Sequence, residues 1–348
     1  MKFSNNYILR SCRLLGLGLF FIIFLPLTVG ASPANQTNSP TLLKPLAAKS
    51  LILDLATFDQ RTVAVGWRGH ILLSDDDSKT WSQVEVPTRS MLTGVYFADN
   101  LRGWAVGHNA VILATEDGGK NWDMLSAAPE EERPLFDLVV TDNYGFAIGA
   151  YAKFMVTRDG GKSWQAGDFV IKQSAEKPEE SLDEEEPLPF DYHFYSITRA
   201  TDKVFYIAAE AGYLFRSDDG GHTWQELPSP YEGSFFGILP LQDNALLAYG
   251  LRGHIFRSAD GGQNWQPIET GTTAIITDAV RLPDGTVVVV GMGGVVLVSS
   301  DEGQTFTLQK FGRIGLTAIV TTASGKIVVA GERGSKILDL SSFTKTKQ

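Results

Sequence analysis

Six aspartates recur along the chain with similar neighbours, and their spacing is the first feature that could carry chemistry. Each lies two residues after a Ser or Thr and five residues before an aromatic residue, in the consensus Ser/Thr-x-Asp-x-Gly-x-x-Trp. Repeated carboxylates would suit metal binding or acid catalysis. The aspartates are Asp76, Asp117, Asp159, Asp219, Asp260 and Asp301, and the closing aromatics are Trp81, Trp122, Trp164, Trp224, Trp265 and Phe306.

The regular repeat of this motif favours a structural role over a catalytic one. The closing aromatics follow one another at intervals of 41, 42, 60, 41 and 41 residues, so the aspartates should lie around the fold without converging. The hydroxyl and the carboxylate can both accept backbone N–H groups in a tight turn, and glycine allows positive φ there. We expect the motif to fix this turn and the Trp to pack between neighbouring sheets.

A pair of small residues precedes each motif at a fixed distance. The first lies eight residues before the Ser or Thr, as Gly66 does before Ser74, and the second follows three residues later, as Gly69 does. Gly331 and Gly334 repeat the pair in a seventh unit, which lacks the aspartate motif. The chain therefore contains seven units in register.

Each unit has the sequence pattern of β-strands, with short apolar, β-branched or aromatic runs bounded by turn residues. One run opens the unit, a second precedes the glycine pair, a third follows it, and a more polar fourth follows the aromatic residue. Four short strands in each repeat of about 41 residues indicate one propeller blade. The sequence predicts an all-β fold, a seven-bladed β-propeller over residues 51–340.

The last blade has no good candidate for an outer strand, because the tail at residues 341–348 is short and polar. We expect the segment from Thr41 to Ala47, within a flexible leader at residues 32–50, to supply it. That strand would join the chain ends and cover an open sheet edge, where Pro45 is tolerable.

The first residues of the chain are typical of a secretory signal peptide. Three basic residues, Lys2, Arg10 and Arg13, precede an apolar run from Leu14 to Leu25, and Val29-Gly30-Ala31 resembles a cleavage site. We expect residues 1–31 to be removed in the periplasm, although an uncleaved anchor is the alternative. Cleavage would remove the single cysteine, Cys12, and change the formal net charge from −10 to −13 through the loss of three cations. This acidic balance argues against a nucleic-acid partner.

An acidic insertion explains the long interval after Trp164. Residues 171–189 contain seven acidic residues and two lysines, a local net charge of −5, and three prolines discourage regular structure. The insertion is either a solubilising flap or an electrostatic arm that docks on a basic surface.

The aspartate motifs are Asp-boxes, or BNR repeats. Together with the glycine pair before each box, they make the chain similar to the photosystem II stability/assembly factor family over residues 51–340. The resemblance implies a seven-bladed propeller on the lumenal or periplasmic side that acts as a non-enzymatic assembly chaperone for a membrane protein. No cysteine follows the signal core in the position used for lipidation by cyanobacterial members, so we expect a non-photosynthetic bacterial member with another inner-membrane partner.

The residues between the paired glycines should form a ring on the face opposite the Asp-boxes. We expect Arg68 and Arg333 to lie in neighbouring blades, where arginines beside Trp67 would suit a carboxylate-bearing partner. The alternative is that these are merely solvated turn residues. The candidate partner-binding residues are Trp67, Arg68, His70, His108, Arg252, His254 and Arg333.

A sialidase-like glycoside hydrolase is the competing function, since sialidases also carry Asp-boxes. The chain has no Arg-Ile-Pro signature, and seven units differ from the six blades of sialidases. It also has no phosphate loop, nucleophile elbow or zinc motif. We therefore predict an exported, monomeric binding protein without enzymatic activity. We expect no cofactor, no metal and no small-molecule substrate, and a membrane protein or complex as partner.

Overall fold

In the structure, a computed structural model, residues 40–172 and 192–344 are described. The predicted signal peptide, most of the leader, nearly all of the acidic insertion and the last four residues lie outside the described residues. Among the described residues, no helix is long and apolar enough to cross a membrane.

The strands form seven antiparallel sheets in chain order. Blade one contains β1 (Ile52–Phe58), β2 (Arg61–Gly66), β3 (Ile71–Ser74) and β4 (Ser82–Val84). Blade two contains β5 (Leu92–Phe97), β6 (Gly103–Gly107), β7 (Ile112–Thr115) and β8 (Asp123–Ser126). Blade three contains β9 (Leu135–Val140), β10 (Gly145–Gly149), β11 (Phe154–Thr157) and β12 (Gln165–Ala166). Blade four contains β13 (Phe194–Arg199), β14 (Phe205–Ala209), β15 (Leu214–Ser217) and β16 (Gln225–Glu226).

The remaining three blades continue the same pattern. Blade five contains β17 (Phe235–Pro240), β18 (Leu246–Gly250), β19 (Ile255–Ser258) and β20 (Gln266–Ile268). Blade six contains β21 (Ile276–Arg281), β22 (Val287–Gly291), β23 (Val295–Ser299) and β24 (Thr307–Lys310). Blade seven contains β25 (Leu316–Thr321), β26 (Ile327–Gly331) and β27 (Gly334–Leu338), followed by the one-turn helix α1 (Ser341–Thr344).

The first strands of successive blades contact one another around a closed circle, with β25 next to β1. The prediction of a seven-bladed β-propeller is confirmed. The second strand of most blades is buried along its whole length, as in Val287–Gly291 of β22, because neighbouring blades cover both faces of the sheet. This explains why these segments read as continuous apolar runs.

The Asp-box of blade five shows how the motif holds its turn. The Ser258 hydroxyl donates to Asp260 Oδ1 at 2.8 Å and accepts the Gly262 N–H at 2.8 Å. Asp260 also accepts the Asn264 N–H at 2.9 Å and the Asn264 side-chain amide at 2.7 Å. These bonds from Asn264 lower the pKa of Asp260 to about 2. The carboxylate is committed to its own turn, as the sequence predicts.

The closing aromatic of each box packs against the preceding blade. Trp224 of blade four is fully buried against Phe146 and Phe154 of blade three, and Trp81 of blade one packs in a cluster with Val328 of blade seven. The box aromatics therefore set the spacing between blades, and the seventh interface is built in the same way as the others.

The prediction that residues 41–47 supply the outer strand of blade seven is wrong. Among the described residues, blade seven has three strands, and residues 41–47 form no strand. The segment instead crosses from blade one to blade seven: the Thr41 N–H donates to Val86 O at 2.8 Å, and the Ala48 carbonyl oxygen lies against Gly334. A segment that crosses the junction cannot also run along β27, so the ring closes through packing of β1 on β25.

Candidate partner-binding face

The turns between second and third strands lie on one face with the connections between blades, here named the turn face. In blade one the turn is tight, with the His70 N–H donating to Trp67 O at 3.1 Å and positive φ at Arg68 (57°) and Gly69 (73°). This is the geometry of a two-residue hairpin turn. A Cβ on Gly69 would lie 2.4 Å from Thr88 O. The glycine therefore lets the turn rest on the connection to blade two.

In blades one, five and seven the turn between the second and third strands places an arginine at an exposed tip. Arg68 in blade one and Arg252 in blade five occupy the same left-handed position, with φ of 57° and 56°, and both are exposed. Arg333 is exposed at the corresponding turn of blade seven. The turn face thus presents arginines from three of the seven blades.

The five ion-paired arginines lie on the Asp-box face, whereas of the eight described arginines without an acidic partner six lie on the turn face and two, Arg158 and Arg257, lie on the Asp-box face. On the face that carries the Asp-boxes, five arginines form ion pairs at 2.5 to 2.7 Å, namely Arg61, Arg102, Arg199, Arg216 and Arg281. On the turn face, six arginines form no ion pair with any described residue: Arg68, Arg89, Arg133, Arg252, Arg313 and Arg333. Guanidinium groups available for external carboxylates are therefore concentrated on one face.

Two acidic residues of the turn face accept hydrogen bonds from backbone N–H groups. Glu332 accepts the Gly315 N–H at 3.1 Å, and Glu210 accepts the His193 N–H at 3.3 Å. Each carboxylate fixes the connection that enters its own blade. These glutamates hold the loops in position and leave the unpaired arginines unopposed by direct contact.

A groove of about 500 Å³ lies where the ring closes, on the turn face, and is here named the rim groove. Its walls are Leu42, Leu46, Ala47 and Trp67, and its polar lining residues are Lys44, Arg68, His70 and Arg89. The Arg68 guanidinium lies 5.8 Å from the centroid of the Trp67 indole, within cation–π range. Three predicted site residues, Trp67, Arg68 and His70, are thus brought together.

The histidines among the predicted site residues are packed to different degrees. His70 is buried, with Nδ1 2.9 Å from Ser50 Oγ, and burial followed by repulsion from Arg68 lowers its pKa. Burial also lowers the pKa of His108 in blade two. His254 in blade five packs edge-on against Tyr231 at 4.4 Å. All three lie on the turn face, and His70 belongs to the rim groove.

Only the start of the acidic insertion lies among the described residues. Ile171 forms a parallel bridge with Trp224, and the Lys172 N–H donates to Trp224 O at 2.8 Å. The chain leaving blade three is therefore held against blade four before residue 173. The seven acidic side chains lie outside the described residues, so the choice between flap and docking arm stays a prediction.

Sequence reasoning missed a second set of aspartates on the innermost strands. Asp54, Asp137 and Asp278 each follow a β-bulge in the first strand of a blade. One carboxylate oxygen accepts the next N–H of the same strand, and the other accepts an N–H of the following blade: Val95, Ile197 and Ile319, all at 2.8 Å. An aspartate two residues into an opening apolar run was the available signal.

Every interface between blades has a side-chain hydrogen bond near the inner wall. The three aspartates bridge the interfaces one–two, three–four and six–seven. Threonines bridge two–three, four–five and seven–one, through Thr93 to Leu135 O, Thr198 to Ile238 O and Thr317 to Ile52 O. At five–six, the Tyr249 hydroxyl lies 3.4 Å from Asp278 Oδ1. The inner wall is therefore a continuous series of polar links.

The inner aspartates stand close to a central cavity of about 390 Å³ lined by Asp137, Asp278, Tyr249 and Arg199 among others. Burial raises the pKa of Asp137 to about 6 and that of Asp278 to about 7. Burial, followed by repulsion from Asp137, also raises the pKa of Asp54 well above its ordinary value. Perturbed acids in a cavity are a signature of active sites, but here both oxygens are engaged by strand N–H groups. Among the described residues, no group of three or more His, Cys, Asp or Glu could hold a metal ion.

Fold and sequence together define a seven-bladed Asp-box propeller whose turn face carries arginines without ion-pair partners among the described residues. The family model for photosynthesis system II assembly factor YCF48 matches residues 73–164 and 130–309. Because these matches extend over more than half of the chain, the protein belongs to this family. The similarity that the sequence predicts is confirmed.

Individual relatives match short stretches. The chain is 42% identical over 60 residues to photosystem II assembly lipoprotein Ycf48 of Trichormus variabilis, covering 17% of this chain and 18% of that protein. It is 36% identical over 47 residues to photosystem II assembly protein Ycf48 of Thermosynechococcus vestitus, covering 14% of each. The chain thus matches less than a fifth of the length of these curated relatives.

Solved structures share the fold along nearly the whole chain. A structure of YCF48 bound to D1 peptide has a TM-score of 0.65 at 20% identity and covers 84% of this chain and 94% of its own. YCF48 from Cyanidioschyzon merolae has a TM-score of 0.64 at 17% identity, covering 85% of this chain and 97% of its own. At these identities the likeness shows the seven-bladed fold.

Proposed function

We propose that this protein is a non-enzymatic binding protein that supports the assembly or stability of a membrane-protein complex through its turn face. One observation carries the proposal: the arginines of the turn face have no ion-pair partner among the described residues, whereas five of the seven arginines of the opposite face are paired. Unpaired guanidinium groups at fixed tips suit bidentate recognition of carboxylates on a partner.

The family supports the class of partner. The relatives are named photosystem II assembly proteins, and one solved relative is bound to D1 peptide. We infer that this chain likewise binds a segment of a membrane protein, on the periplasmic side and as a monomer. In this proposal, residues 1–31 direct export and are cleaved, and the leader, the ring and the C-terminal tail stay together as one protein.

The carboxylates argue against hydrolysis. The box aspartates are bound within their own turns, and the inner aspartates accept backbone N–H groups through both oxygens. General acid–base catalysis needs a carboxyl group that reaches the substrate. We therefore place these carboxylates in the architecture. Robust turnover in a glycan-hydrolysis screen would overturn the non-enzymatic part of the proposal.

The test is affinity purification from solubilised membranes with a charge-reversed turn face. The variant carries Arg252→Glu and Arg333→Glu, and the matched control carries Arg158→Glu, an exposed and unpaired arginine in the Asp-box of blade three. We expect the double variant to recover about tenfold less of its membrane partner, with an unchanged melting temperature, while the control behaves as the parent. Equal recovery by all three proteins would refute the assignment of the turn face.

A further inference from the structure

We propose that the segment from Leu42 to Leu46, together with Trp67, docks the ring directly on an anionic lipid bilayer. This goes beyond the proposed function, because the ligand is the lipid surface and not the protein partner. The two act from the same face, which would turn the free arginines towards a membrane-embedded partner.

The segment exposes more apolar surface than its fold requires. Leu42, Leu43 and Leu46 are 50%, 59% and 65% exposed, and Trp67 is 40% exposed. These four are nearly half of the nine large hydrophobic side chains exposed among the described residues. Such clustering marks an interaction site, whereas single exposed leucines need no explanation.

The backbone of the segment is held by hydrogen bonds, and the leucine side chains stay exposed. The Lys44 N–H donates to Gln83 Oε1 at 2.7 Å, and the Gln83 side-chain amide donates to Leu42 O at 3.0 Å. Thr41 is fixed through Val86 O, and the buried Ala47 anchors the other end. The backbone is therefore clamped to blade one while the leucines point outward.

The charges around the leucines complement anionic headgroups. Lys44, Lys49 and Arg68 are exposed and form no ion pair with a described residue. The chain carries no acidic residue from position 40 to position 53, although its net charge is −10. Glu85, one residue before Val86, is acidic and exposed. A local cationic surface on an acidic protein is what an anionic bilayer selects.

The chemistry of the patch favours lipid over a peptide segment. Leucines that protrude by half or more of their surface suit insertion into the interface, where Trp is also enriched. Leu43 does not line the rim groove at all, so a peptide seated in that groove would leave it uncovered. In the proposal, a bilayer, which is not confined to the groove, covers Leu43 together with the other three side chains.

Vesicle flotation tests the proposal with the chain that begins at Ser32. This chain keeps the folded ring, because every described core cluster draws on residues between Ala47 and Phe343. Vesicles contain phosphatidylglycerol with phosphatidylethanolamine, or phosphatidylcholine alone. We expect the parent to partition onto the phosphatidylglycerol vesicles. The Lys44→Glu variant should partition onto them at least about fivefold more weakly than the parent.

The decisive variant carries Leu42→Ser, Leu43→Ser and Leu46→Ser. The control carries Leu101→Ser and Leu125→Ser, at exposed leucines elsewhere on the ring. We expect the triple variant to lose about tenfold or more in partition, with an unchanged melting temperature, and the control to bind as the parent. Equal flotation of both would overturn the proposal. Loss of the membrane partner in detergent by the triple variant, with flotation intact, would also overturn it, because the occupant would be protein.

Tryptophan fluorescence gives a second reading at one residue. Lipids brominated on the acyl chain should quench the share of the parent's tryptophan emission that comes from Trp67. A Trp67→Phe variant should show no such quenching. Quenching that is identical in the two proteins would place Trp67 outside the bilayer and refute its part in docking. The Arg252→Glu and Arg333→Glu variant should float normally, so the lipid and partner proposals can fail independently.

Discussion

Replacing Asp278 by Asn should weaken the dependence of the free energy of unfolding on pH. The carboxyl group lies beside the central cavity, and burial raises its pKa from 3.8 to about 7. Asp54 and Asp137 add repulsion to this inner wall, while Tyr249 and Arg199 also face the cavity. Asn has nearly the same shape and no charge, so the variant removes the titration and keeps most of the packing.

The sign follows from proton binding. Between pH 3.8 and about pH 7, folded Asp278 holds a proton that the unfolded chain has released, so this group makes the folded state less stable as pH rises. At 1.36 kcal/mol per pH unit, the contribution falls by about 4 kcal/mol across that interval. It is fully present below pH 3.8 and lost above about pH 7.

The substitution also has a cost that does not depend on pH. Asp278 accepts the Ala279 N–H through Oδ1 and the Ile319 N–H through Oδ2, both at 2.8 Å. An Asn side chain has one acceptor oxygen, so one strand N–H loses its partner, at a cost of about 1–3 kcal/mol. The variant should therefore be less stable than the parent below about pH 4, close to it in stability near about pH 5, and more stable by about 1–3 kcal/mol near about pH 8.

Urea unfolding followed by circular dichroism measures both proteins at several pH values, and the difference between them cancels the titration of groups that do not interact with Asp278. The box aspartates do not interfere, since hydrogen bonds within their turns lower the pKa of Asp76 and Asp260 to about 2. A difference in unfolding free energy that stays constant between about pH 5 and about pH 8 would show that Asp278 does not titrate there. That result would refute the account of the inner wall.

Three further substitutions test the local architecture by the same unfolding assay. Ser258→Ala should lose about 1–3 kcal/mol, because a buried hydroxyl that donates to Asp260 and accepts the Gly262 N–H disappears; a neutral effect would mean that the box turn does not depend on its serine. Gly69→Ala should lose more than about 1 kcal/mol, since φ is 73° and the new Cβ would meet a carbonyl oxygen at 2.4 Å; unchanged stability would contradict the close approach. Trp224→Ala should lose about 3–5 kcal/mol through the cavity left between blades three and four, and a loss below about 1 kcal/mol would show that the interface repacks.

The repeats made the fold readable from sequence. Each prediction about a blade rested on several copies in register, so a departure in one copy, such as Asp77 and Ser78 in place of the two glycines, did not hide the pattern. The hydrogen bonds of the Asp-box turn join residues within four positions of one another, such as Ser258 with Gly262 and Asp260 with Asn264. Local hydrogen bonding of this kind is determined by local sequence.

The features that sequence reasoning missed depend on distant residues. Asp137 gains its meaning from the Ile197 N–H, 60 positions away, and Asp54 from the Val95 N–H, 41 positions away. The sequence predicts a strand at residues 41–47 because the last blade has no good candidate for an outer strand, but the Thr41 N–H donates to Val86 O of blade one. Which of two nearby edges a segment joins is decided by the ring as a whole.

The links along the inner wall limit how far the blades can be treated as modules. Seven units that share one repeat have met the same requirement with different chemistry, through carboxylates, threonine hydroxyls and the Tyr249 phenol. The Tyr249 link depends on its surroundings, since a Cβ on Gly237 would lie 2.2 Å from the Tyr249 hydroxyl. A blade moved to another place in the ring would meet a neighbour that lacks the matching donor or acceptor for its side-chain hydrogen bond. Duplication explains the common plan of the blades, and divergence at their junctions has made their order part of the fold.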